Sequence, residues 1–254
     1  MSTLNRADLH PDGSTLAPHA ESHSRRDDIR SAISELCGRG AMLAFFAFVA
    51  QSKMLELWLL ITSSDQLDTA KYVDLGANLA SLAFLIVVLG ATIFRLKSTQ
   101  SADGWEPRYS AFMGTFLTLA LVALSPVEAG PAWRLTAIII ITVGGLLSAW
   151  VLAWLGRSFS ITPQARALVT TGPYAVVRHP LYLCEEITVI GVMLLHFSLA
   201  AVLIVVVQWI FQLRRMSNEE RVLRSGFPEY AGYAARTPKV IPNILFAAAQ
   251  PAPE

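Results

Sequence analysis

Long apolar stretches alternate with polar segments along most of this chain. A helix that crosses a bilayer needs roughly 20 mainly apolar residues. Six stretches are candidates for such spans, and they lie at about 40–61, 73–94, 110–124, 133–156, 181–197 and 199–213. The pattern predicts an all-α fold, a multi-pass transmembrane helical bundle of about six spans.

The stretches differ in what they predict individually. The last two almost touch, which predicts a tight helical hairpin that enters and leaves the membrane by the same face. The third, 110–124, is short and could be re-entrant. The first carries Lys53 and Glu56 one turn apart. A charged residue inside a span often has a function. At this spacing, however, the two side chains can neutralise each other, and we expect a structural ion pair.

The polar segments divide the chain into four parts. Residues 1–28 are polar and lack periodicity, which predicts a disordered N-terminal tail. Residues 29–130 hold the N-terminal transmembrane helices. Residues 131–243 form a core that contains two polar blocks, and residues 244–254 are a C-terminal tail.

Composition supports the membrane assignment. Hydrophobic residues make up 54% of the 254 residues and charged residues only 15%, with a mean hydropathy of +0.48. A soluble domain usually has about 25% charged residues. The net charge of +1 gives no basic field for nucleic acid, so the expected partner is the lipid bilayer. Cys37 and Cys184 do not make a disulfide framework.

Lysine and arginine are distributed unevenly between the loops. They concentrate in the N-terminal segment, in the loops after the second and fourth stretches, and in the C-terminal part, whereas the opposite loops hold only Lys71 and Arg134. Positive residues favour the cytoplasmic side of a membrane. The distribution predicts that both termini are cytoplasmic and that residues 157–180 and 214–254 share that face.

Two polar blocks on that face make a candidate active site. Residues 172–182 combine an arginine, a histidine and two tyrosines between apolar stretches, and Arg214 to Tyr233 form a second block beyond the hairpin. Within the second block, residues 216–225 favour a separate helix, with Ser217 as its cap and Glu220 at the matching capping-box position.

Common soluble fingerprints are absent from the sequence. It contains no G-x-G-x-x-G after a strand, no Walker loop, no H-E-x-x-H, no paired C-x-x-C and no G-x-S-x-G. We therefore expect no metal site, and a nucleotide-type cofactor would have to bind in an unusual way.

The residues of the two blocks resemble a known family. Leu168-Val169-Thr170-Thr171-Gly172-Pro173-Tyr174 and then Arg178-His179-Pro180-Leu181-Tyr182 are similar to the isoprenylcysteine carboxyl methyltransferase family of integral membrane enzymes. The family's later motifs are matched, after the hairpin, by Arg215, Glu219-Glu220-Arg221-Val222-Leu223, Phe227-Pro228, Tyr230, Tyr233, Arg236 and Ile241-Pro242. The resemblance covers roughly residues 133–243. Pro228 and Cys184 stand where the family commonly has glycine.

The resemblance implies S-adenosylmethionine as the cofactor and a lipophilic methyl acceptor of the isoprenylcysteine type. It implies a cofactor site formed by Arg166, Leu168, Val169, Tyr174, His179, Pro180, Tyr182 and Glu219. Arg215 is our candidate catalytic residue, because a guanidinium grips and orients an acceptor carboxylate bidentately. Glu186 is a candidate for substrate binding, since a lipid-facing carboxylate is costly.

The sequence leaves open several alternatives for the function and for single residues. The acceptor could instead be a lipid amine or a small thiol. Membrane sterol reductases that use NADPH share an Arg-His-Pro-x-Tyr element, and a non-catalytic transporter or scaffold could use the same polar face. At single residues, Arg178 could pair with Glu219, Glu220 or a membrane phosphate, and Arg215 could be only a positive-inside anchor.

Overall fold

The computed structural model describes residues 18–63, 69–102 and 104–242 of the chain. Helices dominate these ranges, and a short 3₁₀ turn at Gly156–Ser158 follows the fifth helix. The elements are α1 (Pro18–Thr62), α2 (Thr69–Ile93), β1 (Gln100–Ser101), α3 (Glu106–Phe116), α4 (Leu119–Val122), α5 (Pro131–Leu155), β2 (Gln164–Ala165), α6 (Pro173–Val176), α7 (Pro180–Leu195), α8 (Leu199–Gly226) and α9 (Tyr230–Arg236).

The N-terminal tail departs from the sequence-based expectation in part. Residues 18–28 belong to α1, although we predicted no regular structure for 1–28; residues 1–17 lie outside the described ranges. Extending a helix costs far less than nucleating one, so the apolar part of α1 can propagate back to Pro18, which suits a first helical turn. The chain divides into two compact units after Phe45, and the second unit contains every element from α2 onwards.

Four helices among the described residues are long and apolar enough to cross a membrane, as an integral membrane protein requires. They are Gly38–Thr62, Lys71–Ile93, Pro131–Ser158 and Leu199–Gly226. The other two predicted spans fall in shorter helices, α3 with α4 and α7. Apolar side chains on the four long helices remain more than half exposed, among them Trp58, Ile86, Leu146 and Leu203. Lys53 and Glu56 form the expected ion pair, with 2.6 Å between Nζ and Oε2.

Small residues bring α5 and α7 into close contact. A β-carbon added at Gly144 would lie 2.6 Å from the Thr188 nitrogen, and one at Gly191 would lie 2.9 Å from the Ala137 carbonyl oxygen. Glycine is used between membrane helices because it lets two backbones approach closely. Helix α7 is therefore held against α5, and the first polar block lies just before it.

Helices α7 and α8 form the predicted hairpin, joined by residues 196–198. Gln208 Nε2 donates to Glu186 Oε1 at 2.8 Å, and Gln212 Nε2 donates to Glu185 Oε2 at 3.2 Å. These side-chain bonds connect the two antiparallel helices. Such bonds satisfy polar groups that would otherwise face hydrocarbon.

The prediction of a separate helix at 216–225 was wrong. Helix α8 continues without a break to Gly226, and the Ser217 hydroxyl donates to the Leu213 carbonyl one turn earlier instead of capping a terminus. The cap of α8 is Ser198, whose side chain accepts from the Ala201 nitrogen at 3.1 Å. A serine inside a continuous helix bonds backwards in this way and gives the same local sequence signal as a cap.

The two ends of the bundle carry different loops. At one end, β1 pairs antiparallel with β2, with Gln100 opposite Ala165, so the loops after α2 and α5 lie together. At the other end, His196 Nδ1 lies 2.8 Å from the Leu124 oxygen and Arg134 pairs with Asp74 at 2.9 Å. The loop pairing agrees with the charge pattern, which predicted that these two loops share a face.

Candidate functional site

His179 and Glu220 join the two polar blocks. His179 is the N-cap residue of α7, and its side chain makes no capping bond; instead its Nε2 lies 3.1 Å from Glu220 Oε1 on α8. Both residues are only 4% exposed. Pro180 places this histidine, since proline at the first helical position starts the helix directly after it. The pair fixes the start of α7 against the last turns of α8.

Two arginines complete the surroundings of Glu220. Arg178 Nε forms an ion pair with Glu220 Oε1 at 3.2 Å, although the angle is not that of a hydrogen bond. Arg224 Nη2 donates to Glu220 Oε2 at 3.1 Å from a largely exposed position, so it contributes little. The expected pairing of Arg178 with a carboxylate of the second block is present, and its partner is Glu220.

Tyr182, Arg215 and Glu219 form a second cluster one turn away. The Tyr182 hydroxyl donates to Glu219 Oε2 at 2.6 Å, and its ring packs at 4.8 Å from the Arg215 guanidinium carbon. Arg215 is 3% exposed, and its Nε has no hydrogen-bond partner in the described part of the chain. An arginine held by an aromatic face and left with a buried donor is suited to accept an anionic group.

The segment after α8 closes the site from the other side. The Tyr233 hydroxyl donates to the Tyr174 carbonyl at 2.7 Å, and the Arg178 backbone nitrogen donates to the Pro238 carbonyl at 2.8 Å. Lys239 Nζ is 2.9 Å from the Ser217 hydroxyl. These bonds hold α9 and the following residues over the segment from α6 to α7.

Burial sets the protonation state of the tyrosines in this segment. It raises the pKa of Tyr233 to about 12 and, together with the Glu219 carboxylate, raises the pKa of Tyr174 well above its usual value. Burial also raises the pKa of Tyr230. All three phenols are therefore neutral at physiological pH and keep the proton with which a hydroxyl donates a hydrogen bond.

A cleft lies between these elements. It has two overlapping lobes with open volumes of about 430 and 470 Å³. Both lobes are lined by Leu155, Ser158, Gln164, Tyr174, Arg178, His179 and Glu219. One lobe adds Tyr182 and Arg215, and the other adds Tyr230, Tyr233 and the segment Ala167, Leu168 and Val169.

Most of the predicted site residues meet in this cleft. Of the predicted site residues, those that line the cleft are Leu168, Val169, Tyr174, His179, Tyr182, Arg215 and Glu219. Three others do not line it. The Arg166 side chain is buried and donates to the Leu96 carbonyl and to Gln164, so it braces the paired loops. Pro180 starts α7, and Glu186 accepts from Gln208 deeper in the hairpin.

Sequence reasoning missed several residues of the site. Ser158, Gln164 and Thr115 carry no family motif, and Thr115 lies far outside the resemblance although it bonds Arg215. Tyr230 matches a family motif but was given no role in the site, and its buried hydroxyl has no partner in the described ranges while its side chain lines the cleft. Only the contact between α3 and α8 reveals Thr115.

Glycine determines how the first polar block enters the cleft. Gly172 has φ of +60°, a conformation that other residues rarely adopt, and a side chain there would overlap the Trp154 indole. The tight turn allows α6 to start at Pro173 and directs the Tyr174 side chain inwards, where it is 8% exposed.

A family match covers the part of the chain that builds the cleft. The sequence model described as the isoprenylcysteine carboxyl methyltransferase (ICMT) family matches residues 136–225. That range begins in α5 and ends in the last turn of α8, so it contains the first polar block, the hairpin and the second block as far as Ser225, whereas Tyr230 and Tyr233 lie beyond it.

Curated relatives cover different shares of the chain. The cobalt-zinc-cadmium resistance protein CzcN of Cupriavidus metallidurans is 38% identical over 30% of this chain and 36% of its own length, so the chain spans little more than a third of that relative. Protein-S-isoprenylcysteine O-methyltransferase of Schizosaccharomyces pombe is 27% identical over 79% of this chain and 83% of its own length. Protein-S-isoprenylcysteine O-methyltransferase B of Arabidopsis thaliana is 32% identical over 41% of this chain and 56% of its own length. Together with the motif order around the cleft, these similarities show that the part of the chain at residues 136–225 resembles the isoprenylcysteine carboxyl methyltransferase family.

Proposed function

We propose that the protein is a membrane-embedded methyltransferase that uses S-adenosylmethionine to methylate the carboxylate of a lipophilic, isoprenylcysteine-type acceptor. The observation that carries the proposal is the joining of two family motifs across the hairpin, through His179 with Glu220 and Tyr182 with Glu219. Both contacts border one cleft, inside the range that matches the family.

The chemistry of the cleft fits this cofactor. The Tyr230 hydroxyl, which has no hydrogen-bond partner among the described residues, can bond a polar ligand atom. The Glu219 carboxylate can accept from ribose hydroxyls or an ammonium. The backbone of Ala167, Leu168 and Val169 offers donors and acceptors beside apolar side chains, which suits the edge and plane of an adenine. The phenol rings can face a sulfonium cation.

When bound, S-adenosylmethionine supplies a methyl group on a sulfonium, and an ionised carboxylate needs no general base to attack it. The protein's contribution is then alignment. His179 is held by Glu220, so its ring is fixed at the N-terminus of α7. Tyr182 and Glu219 hold each other, which orients the carboxylate that we assign to the cofactor.

Arg215 is the residue that we assign to the acceptor carboxylate. Its guanidinium lies against the Tyr182 ring, borders the same lobe of the cleft as Glu219, and keeps a buried Nε without a partner in the described ranges. A carboxylate bound there would satisfy that donor. Glu186 lies deeper between α7 and α8, and we assign it to the acceptor side of the hairpin.

The membrane arrangement follows from the same proposal. Six spans, with both termini on the cytoplasmic side, would use α3 with α4 and α7 in addition to the four long helices. The cofactor would enter from the cytoplasm, while the acceptor would enter sideways from the lipid bilayer. The charge pattern of the loops supports this orientation.

A methyl-transfer assay over several acceptor classes tests the proposal. Purified protein in lipid nanodiscs would be given S-adenosylmethionine with a labelled methyl group and a prenylcysteine, a phospholipid amine or a small thiol. We expect a base-labile methyl ester on the prenylcysteine, lost in Arg215→Gln and kept in Arg214→Gln, since Arg214 is largely exposed. Methylation of only an amine or thiol would overturn the carboxylate assignment, and binding of NADPH alone would favour a reductase.

A further inference from the structure

Helix α3 lies outside the family match, yet it packs closely on the helix that carries Arg215. A β-carbon at Gly114 would lie 2.9 Å from Gln212 Oε1, and Gln208 Nε2 donates to the Gly114 carbonyl at 3.0 Å. Nearer the cleft, Asn218 Nδ2 donates to Ser110 Oγ at 3.1 Å. These contacts fix the register of α3 against α8.

This register places Thr115 beside the Arg215 guanidinium. Arg215 Nη1 donates to Thr115 Oγ1 at 3.0 Å, and the Thr115 hydroxyl donates in turn to the Ala111 carbonyl at 2.8 Å. Because the hydroxyl proton is committed within α3, a lone pair of Oγ1 is left for the arginine. The bond therefore has a fixed direction.

Thr115 and Tyr182 hold the guanidinium on two sides. The Tyr182 ring, 4.8 Å from the guanidinium carbon, limits movement of the guanidinium towards that ring. The bond to Thr115 restricts rotation of the guanidinium within its own plane. In the described ranges no carboxylate lies within ion-pair distance of Arg215. The guanidinium is thus oriented without a direct ion pair in these ranges.

We propose that Thr115 is a positioning residue that fixes the Arg215 guanidinium for the acceptor carboxylate. The inference rests on the proposed function, because it takes Arg215 as the group that binds the acceptor. It also assigns a role in the site to α3, which the family motifs do not reach. Thr115 itself is not among the residues that line the cleft.

A set of three variants tests this role by steady-state kinetics with N-acetyl-S-farnesylcysteine as the acceptor. Thr115→Val keeps the shape of the side chain and removes the oxygen that accepts the hydrogen bond from Arg215. We expect KM for the methyl acceptor to rise about fivefold to tenfold, with kcat changed less than twofold. Thr115→Ser should restore the wild-type KM. Thr142→Val is the matched control, since the Thr142 hydroxyl bonds the carbonyl one turn earlier in the same way, within α5.

The same variants in the absence of acceptor give a readout that does not depend on activity. The rate at which p-hydroxyphenylglyoxal modifies Arg215, mapped by mass spectrometry, reports how firmly the guanidinium is held. We expect a rate at least threefold higher in Thr115→Val than in the wild type, Thr115→Ser and Thr142→Val. Equal rates in all four proteins, or a Thr115→Ser that behaves like Thr115→Val, would overturn the inference even if methyl transfer is confirmed. If Arg215 is modified faster in Thr115→Val but the protein does not methylate N-acetyl-S-farnesylcysteine, the positioning role of Thr115 stands and the proposed function is contradicted.

Discussion

His179 Nε2 lies 3.1 Å from Glu220 Oε1, although 41 residues separate the two in the sequence. The hairpin of α7 and α8 accounts for this proximity, because it returns the chain to the end of the bundle from which α7 starts. Both side chains are buried, so neither can rely on water for its hydrogen bonds. The pair is a structural joint between the two halves of the cleft.

Removal of the Glu220 charge should destabilise that joint. Glu220→Gln leaves the Arg178 and His179 side chains without their carboxylate, and breaking a buried ion pair costs about 3 kcal/mol. We expect a clearly lower melting temperature by scanning fluorimetry in detergent. Glu229→Gln, at an exposed position before α9, serves as the control. Equal melting temperatures for the two variants would refute the structural role of the pair.

Loss of the Tyr182 hydroxyl should weaken cofactor binding without disturbing Arg215. Tyr182→Phe removes the bond to Glu219 but keeps the ring against the guanidinium. The Glu219 carboxylate then loses the hydrogen bond that orients it for the cofactor, so the affinity for S-adenosylmethionine should fall by about threefold to tenfold. Isothermal titration calorimetry measures this directly. Tyr109→Phe, on the exposed side of α3, should leave the affinity unchanged, and an unchanged affinity in Tyr182→Phe would remove Glu219 from the cofactor site.

The turn at Gly172 should tolerate no side chain. Gly172→Ala combines a positive φ with overlap onto the Trp154 indole, so both stability and cofactor binding should decrease. The double variant with Trp154→Ala relieves the overlap only and should recover part of the loss. Gly90→Ala, with open space around the position in α2, is the control and should be neutral or slightly stabilising. A Gly172→Ala protein with wild-type melting temperature and affinity would contradict this account of the turn.

The bond from Tyr233 to the Tyr174 carbonyl should make stability depend on pH only in alkaline solution. The folded pKa of Tyr233 is about 12, above the value of about 10 expected in the unfolded chain. Its contribution is therefore fully present below pH 10 and is lost as the pH rises towards 12. The melting-temperature difference between wild type and Tyr233→Phe should be constant from pH 7 to about pH 9.5 and should shrink above that. A difference that already shrinks below pH 9 would contradict the assigned pKa.

The apolar periodicity predicted the helices, the hairpin and the two polar blocks, because burial in lipid imposes long uninterrupted runs. It could not show that α8 continues without a break past residue 213, since Ser217 and Glu220 give a capping signal inside a continuous helix. The family motifs predicted His179, Tyr182, Arg215 and Glu219 as neighbours, and they all line the cleft.

The partners that hold these residues were harder to predict. Thr115 belongs to α3, and nothing in its local sequence distinguishes it from Thr118 or Thr142. Only the close approach at Gly114 brings it to Arg215. Likewise, the Arg166 guanidinium turns to the Leu96 carbonyl because the pairing of β1 with β2 brings that loop within reach. Contacts between distant segments depend on packing, which a single sequence does not encode locally.

Methyl transfer at this site requires that the joined cleft bind S-adenosylmethionine. Calorimetric titration of this ligand into the purified, detergent-solubilised protein tests it most directly, with NADPH as the competing ligand and His179→Ala, Glu219→Ala and the control Glu229→Ala as variants. We expect saturable binding at one site per chain, an affinity at least about tenfold lower in the first two variants, wild-type affinity in the control, and no heat from NADPH. Absence of binding in the wild type, or unchanged affinity in both His179→Ala and Glu219→Ala, would contradict it.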